Sequence, residues 1–114
     1  SEPVWFKIED GFVTDVKGGA DALLIREHLR SFDDSRAYAI SHIGWGMNED
    51  ARWTALATGS TWDARAVLGS VLFSTGPNLE LGGTNDTRCH LDFPMNGCSL
   101  YLDGRLIIDH GEML

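Results

Sequence analysis

The sequence predicts an α+β domain in which an antiparallel sheet packs against two or three helices. Three observations predict this class. Two Asp-Gly pairs, Asp10-Gly11 and Asp103-Gly104, each lie between short apolar runs, and a segment with helical spacing follows the first pair. Further runs of strand-forming residues fill the second half of the chain. The 114 residues, 43% of them hydrophobic, suit one compact domain over residues 1–114.

The first predicted element is a hairpin over residues 4–17. Its two runs are rich in Val, Ile, Phe and Trp and flank Glu9-Asp10-Gly11. Asp-Gly is a strong hairpin signal because both central residues of the tight turn need positive φ. Gly18 and Gly19 then end the second strand.

A helix from Ala20 to Phe32 is predicted next, because good helix formers fill this segment and its apolar residues fall near helical spacing. The remaining charged residues are available to face solvent. The predicted apolar face is Ala20, Leu24, Ile25, Leu29 and Phe32, and the solvent face is Asp21, Arg26, Glu27 and Arg30.

The middle of the chain predicts a short apolar strand over residues 37–43 that ends at His42. A Gly-Trp-Gly turn over residues 44–46 follows. Asn48 is a suitable N-cap for a helix with acidic residues in its first turn, and Gly59 is a suitable place for that helix to end.

The second half begins with residues 62–68, which remain ambiguous between a short helix and irregular structure. Residues 70–75 have the composition of a strand, and the turn-forming residues of 76–86 predict a loop. A strand over residues 87–93 follows and is broken by Pro94-Met95-Asn96-Gly97.

A second hairpin closes the chain, with the runs CSLYL and RLIID on either side of Asp103-Gly104. No internal repeat, low-complexity segment or domain linker interrupts the sequence. The prediction is therefore one domain.

The charge balance argues against two classes of partner. The net charge is −8 and the sequence pI is about 4.7, with no Lys/Arg cluster. Such a surface repels phosphate backbones and anionic lipids, so nucleic-acid and membrane-surface binding are not expected. The short apolar stretches and the lack of a charged-then-apolar leader predict a soluble, cytoplasmic protein.

The strongest chemical signal is His90-Leu91-Asp92. Side chains two apart on a strand point the same way, about 6.5–7 Å apart along the backbone, and can converge on one cation. His42 is the natural third partner because it ends an apolar strand before a glycine-flanked turn. Two imidazoles and one carboxylate are typical of non-haem ferrous oxygenases, although the same set can hold catalytic zinc.

The other candidate residues are weaker. Ser74, at the end of a predicted strand, can donate a hydrogen bond into the same pocket, and Trp45, next to His42, can wall an aromatic substrate. The remaining residues have ordinary interpretations as solvated histidines, structural thiols and a loop charge; these are His28, His110, Cys89, Cys98 and Glu80.

Three stretches resemble one family, the 2,5-dihydroxypyridine 5,6-dioxygenases, which open a pyridine ring in bacterial nicotinic acid breakdown. They are SHIGWGMN over residues 41–48, VLFSTGPN over residues 71–78 and GGTNDTRCHLD over residues 82–92. The resemblance extends from about Pro3 to the end of the chain. It implies a fold shared with metallo-aminopeptidases of the aminopeptidase T type.

The resemblance implies that His42, His90 and Asp92 bind Fe(II) and that Ser74 lies near the substrate or O₂. The aminopeptidase relatives keep the His-x-Asp element but have an acidic residue near the position of His42. That difference favours one iron over two zinc ions. The implied partners are a small aromatic N-heterocycle and O₂.

Full-length members of the family are longer and carry an additional N-terminal domain. The resemblance therefore implies that this chain is the C-terminal, metal-binding part of a homo-oligomeric enzyme. Two alternatives remain open: a zinc metallo-aminopeptidase, and a non-catalytic domain fragment in which the His-x-Asp pair is incidental.

Overall fold

The computed structural model describes residues 2–59 and 65–114. Its regular elements confirm the α+β class, but among these residues the strands form three small sheets rather than one, ordered β1-β2, β3-β4-β5 and β6-β7-β8. In chain order the elements are β1 (Trp5–Glu9), β2 (Phe12–Lys17), α1 (Ala20–Ser31), a 3₁₀ helix (Ser35–Tyr38), β3 (Ile40–Trp45), a 3₁₀ helix (Trp53–Thr58), β4 (Val71–Thr75), a 3₁₀ helix (Leu79–Leu81), β5 (Leu91–Met95), β6 (Leu100–Leu102), β7 (Arg105–Asp109) and β8 (Glu112–Met113).

The chain divides into two compact units. The first unit comprises Ser1–His42 and Ser74–Leu91, and the second comprises Ile43–Phe73 and Asp92–Leu114. The chain thus leaves the first unit after His42, and Asp92 belongs to the second.

The first unit begins with the predicted hairpin, which is confirmed. Strands β1 and β2 pair antiparallel, and the turn residues Asp10 and Gly11 have φ values of 50° and 79°. Helix α1 packs on this hairpin through a cluster of buried Val13, Val16 and Ala22. The local turn signal and the helical pattern were therefore sufficient to place these elements.

The buried face of α1 differs from the predicted one. Ala22 and Leu29 are fully buried, and Ile25 packs against both clusters, which is the spacing of one helical face. Leu24, predicted to face the core, is 70% exposed. Leu29, which is buried as predicted, packs with Ala37 and Cys89 in a second hydrophobic cluster of the same unit.

The second unit contains a ladder formed by the segments around residues 46–48 and 66–70. The Gly46 amide donates to the Ser70 carbonyl at 2.9 Å, and the Asn48 amide donates to the Ala66 carbonyl at 2.8 Å. A Cβ at Gly46 would collide with the Val67 carbonyl, so this close approach requires glycine.

The second predicted hairpin also lies in this unit and is confirmed. Strands β6 and β7 pair antiparallel, and Asp103 and Gly104 have φ values of 48° and 80°. A short third strand, β8, pairs with β7. This third strand was not predicted from the sequence.

Three predicted elements were placed wrongly. The strand expected over residues 37–43 is β3 at Ile40–Trp45, preceded by a 3₁₀ helix, so His42 lies within the strand and Trp45 is part of it. The strand expected over residues 87–93 begins only at Leu91 and includes Pro94. Proline is tolerated there because β5 is an edge strand of its sheet.

The third correction concerns the helix expected from Asn48. Its described part is a 3₁₀ helix over Trp53–Thr58 that ends, as predicted, at Gly59 with φ 84°. Asn48 Oδ1 does accept a hydrogen bond from the Asp50 amide at 2.9 Å, as an N-cap residue would, but only a turn follows at residues 49–50 and the helix begins later, at Trp53. Residues 62–64 of the ambiguous segment 62–68 lie outside the described residues.

Candidate functional site

His42 and Ser74 come together in the structure. His42 is half-buried on β3, and Ser74 is fully buried on the neighbouring strand β4. The Ser74 Oγ lies 2.8 Å from His42 Nδ1 and 3.3 Å from Nε2. A buried hydroxyl beside the ring fixes the orientation of the imidazole, because water does not compete for the contact.

Ser41 makes a second contact with the same ring, which the sequence analysis missed. Its Oγ lies 3.3 Å from His42 Nδ1 and donates a hydrogen bond to the Pro77 carbonyl at 2.6 Å. Ser41 lies in one of the stretches that carry the family resemblance, but a serine before a histidine is not a specific signal. Only the folded chain brings Pro77, 36 residues away, to its hydroxyl.

His90 precedes β5 rather than lying in it, and its residue is exposed. The backbone just before His90 packs against Gly76, which has φ 110°. The Gly76 amide donates a hydrogen bond to the Ala39 carbonyl at 2.9 Å. A Cβ at this position would overlap the Cys89 carbonyl oxygen. The backbone beside His90 is therefore packed directly against a glycine.

Asn85 forms three hydrogen bonds that stabilise the same segment. Its side-chain amide donates to the Gly76 carbonyl at 2.7 Å and to the Arg36 carbonyl at 3.0 Å. Its backbone amide donates to Asn78 Oδ1 at 2.9 Å. The segment predicted as a loop over residues 76–86 is thus held by side-chain hydrogen bonds, and it contains a 3₁₀ helix at Leu79–Leu81.

Asp34 forms a further contact with the segment before His90, through Thr87. Its carboxylate accepts hydrogen bonds from the Arg36 backbone and guanidinium and from Thr87 Oγ1 at 2.8 Å. The Arg36 side chain, then its backbone amide, then Thr87 lower the pKa of Asp34 from 3.8 to about 2. These contacts hold the charged carboxylate and position the chain three residues before His90.

Asp92 lies on β5 in the second unit, where it forms an ion pair with Arg65. The two side chains are 20% and 29% exposed. The contact joins Arg65 Nη2 to Asp92 Oδ2. Nothing in the local sequence around Arg65 marks it as a partner for a carboxylate 27 residues away.

The weaker candidates have ordinary surroundings. His28 is exposed and meets Phe32 edge-on, with ring centroids 5.2 Å apart. His110 is exposed and pairs with Asp109. Both cysteines are free thiols, and Glu80 is exposed. Trp45 is 43% exposed, and its predicted role as a substrate wall stays a prediction.

The model for the 2,5-dihydroxypyridine 5,6-dioxygenase family matches residues 1–114, the whole chain. The chain belongs to this family. A protein named 2,5-dihydroxypyridine 5,6-dioxygenase from Pseudomonas putida KT2440 is 43% identical over 118 residues. The alignment covers 99% of this chain and 34% of that protein.

A solved structure of a 2,5-dihydroxypyridine dioxygenase from Pseudomonas putida KT2440 is also similar, with a TM-score of 0.86 at 43% identity. It is matched over 99% of this chain and 34% of that chain. The family resemblance inferred from the three sequence stretches is therefore confirmed. The chain spans about a third of the length of the relatives it matches.

For a member of a dioxygenase family, the question is whether the side chains at the candidate site are of the types that bind a metal ion. Two imidazoles and a carboxylate suit Fe(II) chemically. Within residues 2–59 and 65–114, no three His, Cys, Asp or Glu side chains are arranged so that they could hold a metal ion. The structure pairs His42 with Ser74 and Asp92 with Arg65, and the ligand set His42, His90 and Asp92 stays a prediction.

None of the helices in the described residues combines the length and the apolar character needed to cross a lipid bilayer.

Proposed function

We propose that the complete protein is an Fe(II)-dependent dioxygenase that cleaves the C5–C6 bond of 2,5-dihydroxypyridine in nicotinate degradation. One observation carries the proposal: the family model of that name matches the chain from its first residue to its last. The 43% identity to a protein with that name adds support.

In this proposal His42, His90 and Asp92 are the iron ligands. An iron ion held by these three residues would supply the redox chemistry that couples an electron-rich ring to O₂. The donor set supports iron because it combines two neutral nitrogen ligands with one carboxylate. A carboxylate accepts on two oxygens, so a contact of Asp92 with Arg65 is compatible with a bond to a metal ion.

The reaction balances without a further co-reactant. The C5–C6 bond of the ring and the O–O bond break, and each of the two carbons takes one oxygen atom. The ring-opened product therefore contains both atoms of O₂. The chain's own contribution is to orient the ligands, and the buried Ser74 hydroxyl beside His42 supports such a role.

The remaining proposals concern the context of the chain. We propose, as the family resemblance implies, that residues 1–114 are the C-terminal, metal-binding domain of an enzyme of which the chain covers about a third, since it spans 34% of the relative's length. We also propose a homo-oligomer that acts in the cytoplasm on a small N-heterocyclic substrate.

The decisive experiment measures O₂ consumption by the full-length enzyme with 2,5-dihydroxypyridine and Fe(II). His42→Ala and Asp92→Ala should each abolish iron-dependent uptake and lower the bound iron found by elemental analysis. His28→Ala is the matched control, because His28 is an exposed histidine against Phe32. It should retain both uptake and iron.

Two outcomes would contradict the proposal. One is unchanged uptake in either ligand variant. The other is release of an amino acid from a chromogenic amide without O₂, which would show a hydrolytic metalloenzyme instead.

A further inference from the structure

Ile43, Trp45 and Met47 lie on one side of a single extended segment of the second unit. Ile43 and Trp45 are two apart on β3, and side chains two apart on a strand share a face. After the strand, the amide and carbonyl of Gly46 and those of Asn48 all bond to the segment 66–70, which keeps the same period of two. Met47 therefore continues the row. We call these three residues the apolar stripe.

The apolar stripe is exposed in this chain. Ile43 is 59% exposed, Trp45 43% and Met47 70%. Single exposed apolar residues are common on protein surfaces, but several on one face mark a place where another surface packs. Tryptophan and methionine are also among the residues that are enriched at interfaces. None of the three is a proposed iron ligand, so the proposed metal site does not account for them.

The backbone that carries the apolar stripe is fixed. The Gly46 and Asn48 amides donate to the Ser70 and Ala66 carbonyls at 2.9 and 2.8 Å, and a Cβ at Gly46 would collide with the Val67 carbonyl. A rotation that buried the stripe within its own unit would break these hydrogen bonds. The stripe therefore presents its side chains outward in a fixed arrangement, as a docking surface requires.

The size of the apolar stripe and the length of the relatives indicate what covers it. Three side chains of at most about 250 Å² each offer less than the roughly 800 Å² that each partner of a stable complex contributes. A segment of the same polypeptide is held at a high effective concentration, so it can dock on a smaller area than a separate molecule. The chain covers 34% of its relatives' length, which leaves about two-thirds of an enzyme of that length outside these residues.

We propose that the apolar stripe is the docking surface for the part of the same polypeptide that precedes residue 1, and that this part presents an apolar surface to Trp45. The inference rests on the proposed function, in which residues 1–114 are the C-terminal domain of a longer enzyme. Interfaces between domains of one chain commonly bury about 600–1,500 Å² in total, so a stripe of this size supplies a substantial part of one side.

The test measures how fast Met47 is oxidised in the full-length protein. Chloramine-T converts accessible methionines to the sulfoxide, and peptide mass spectrometry follows each methionine separately. Met95 and Met113, both half-buried in the same unit, are the internal references. The protein unfolded in urea gives the rate for full exposure. In the native protein Met47 should react roughly tenfold or more slowly than in the unfolded one, because the docked segment covers it.

A substitution at Trp45 then tests the docking itself. In Trp45→Ser, the oxidation rate of Met47 should rise roughly tenfold, the effect of truncating an aromatic residue at the centre of an interface, while Met95 and Met113 keep their rates. Light scattering should show an unchanged number of subunits, because the contact lies within one polypeptide. Leu24→Ser is the control, since Leu24 is a 70% exposed apolar residue of the first unit. It should leave the Met47 rate unchanged.

Three results would overturn the inference. One is native oxidation of Met47 at close to its unfolded rate. The second is a Trp45→Ser protein in which Met47 stays protected, or in which all three methionines react faster together, since Trp45 would then have no separate docking role. The third is a smaller number of subunits in Trp45→Ser, which would assign the stripe to a second copy of the chain.

The proposed function fails by a different measurement. Iron-dependent O₂ uptake by a wild-type enzyme whose Met47 is freely oxidised leaves the function intact and removes only the docking surface. A full-length protein that neither binds iron nor consumes O₂ contradicts the function, whatever the oxidation rate of Met47. The two failures are therefore distinguishable.

Discussion

Arg65 and Asp92 form an ion pair through Nη2 and Oδ2, and neither side chain is more than 29% exposed. The carboxylate proposed as the anionic iron ligand thus already has a cationic partner within its own unit. A guanidinium is always charged near neutral pH. A metal ion that binds Asp92 therefore meets a fixed positive charge beside it.

Replacing Arg65 should strengthen metal binding. In Arg65→Gln the competing charge is gone, and Fe(II) should bind the full-length protein roughly fivefold more tightly, the scale of a pair worth about 1 kcal/mol. Anaerobic titration measures the effect. Arg65→Lys keeps the charge and should stay near wild type, as should Arg30→Gln at an exposed pair with Glu27. Weaker binding in Arg65→Gln would show that the guanidinium orients the carboxylate instead.

The sequence was most informative where structure is decided locally. The two Asp-Gly turns were predicted correctly because positive φ at both positions is a property of those two residues. The helix was predicted correctly from the spacing of its apolar residues, but the wrong face was predicted to be buried. Which residue is buried, Ala22 rather than Leu24, depends on where the hairpin lies. Local propensity does not contain that information.

Longer-range contacts explain the errors. Residues 87–90 were predicted to be part of a strand from their composition. Instead, the Thr87 hydroxyl donates a hydrogen bond to Asp34, 53 residues away, and the strand begins only at Leu91. In the candidate site, resemblance identified Ser74, whereas the Arg65–Asp92 pair depends on chain segments that are distant in sequence. A hydrogen-bond partner chosen by the fold leaves no local signal.

Gly76→Ala should destabilise the protein more than Gly82→Ala. Both glycines have positive φ, 110° and 85°, but a Cβ at Gly76 would collide with the Cys89 carbonyl while one at Gly82 meets nothing within 4 Å. We expect a loss of about 3 kcal/mol at Gly76, where strain and collision combine, and about 1 kcal/mol at Gly82. Urea unfolding measures both. Equal losses would mean that the chain at Cys89 moves aside readily.

Asp34 should contribute to stability only above acidic pH. Because the folded pKa of about 2 lies below the ordinary 3.8, the contribution is complete above about pH 4 and is lost as the pH falls towards 2. The difference in unfolding free energy between wild type and Asp34→Asn should shrink across that window. Asp33→Asn removes a neighbouring exposed carboxylate as the control. A difference that is constant with pH would contradict the assignment.

The two thiols should react at different rates in the native protein. Cys89 is fully buried against Leu29 and Ala37, and burial raises the pKa of its thiol, whereas Cys98 is half-buried. The thiolate is the reactive form, so both access and ionisation slow Cys89. Iodoacetamide near pH 8, followed by peptide mass spectrometry, should label Cys98 first and Cys89 only when urea unfolds the chain. Equal labelling under native conditions would show that the cluster around Cys89 opens more often than its packing implies, and the segment before His90 with it.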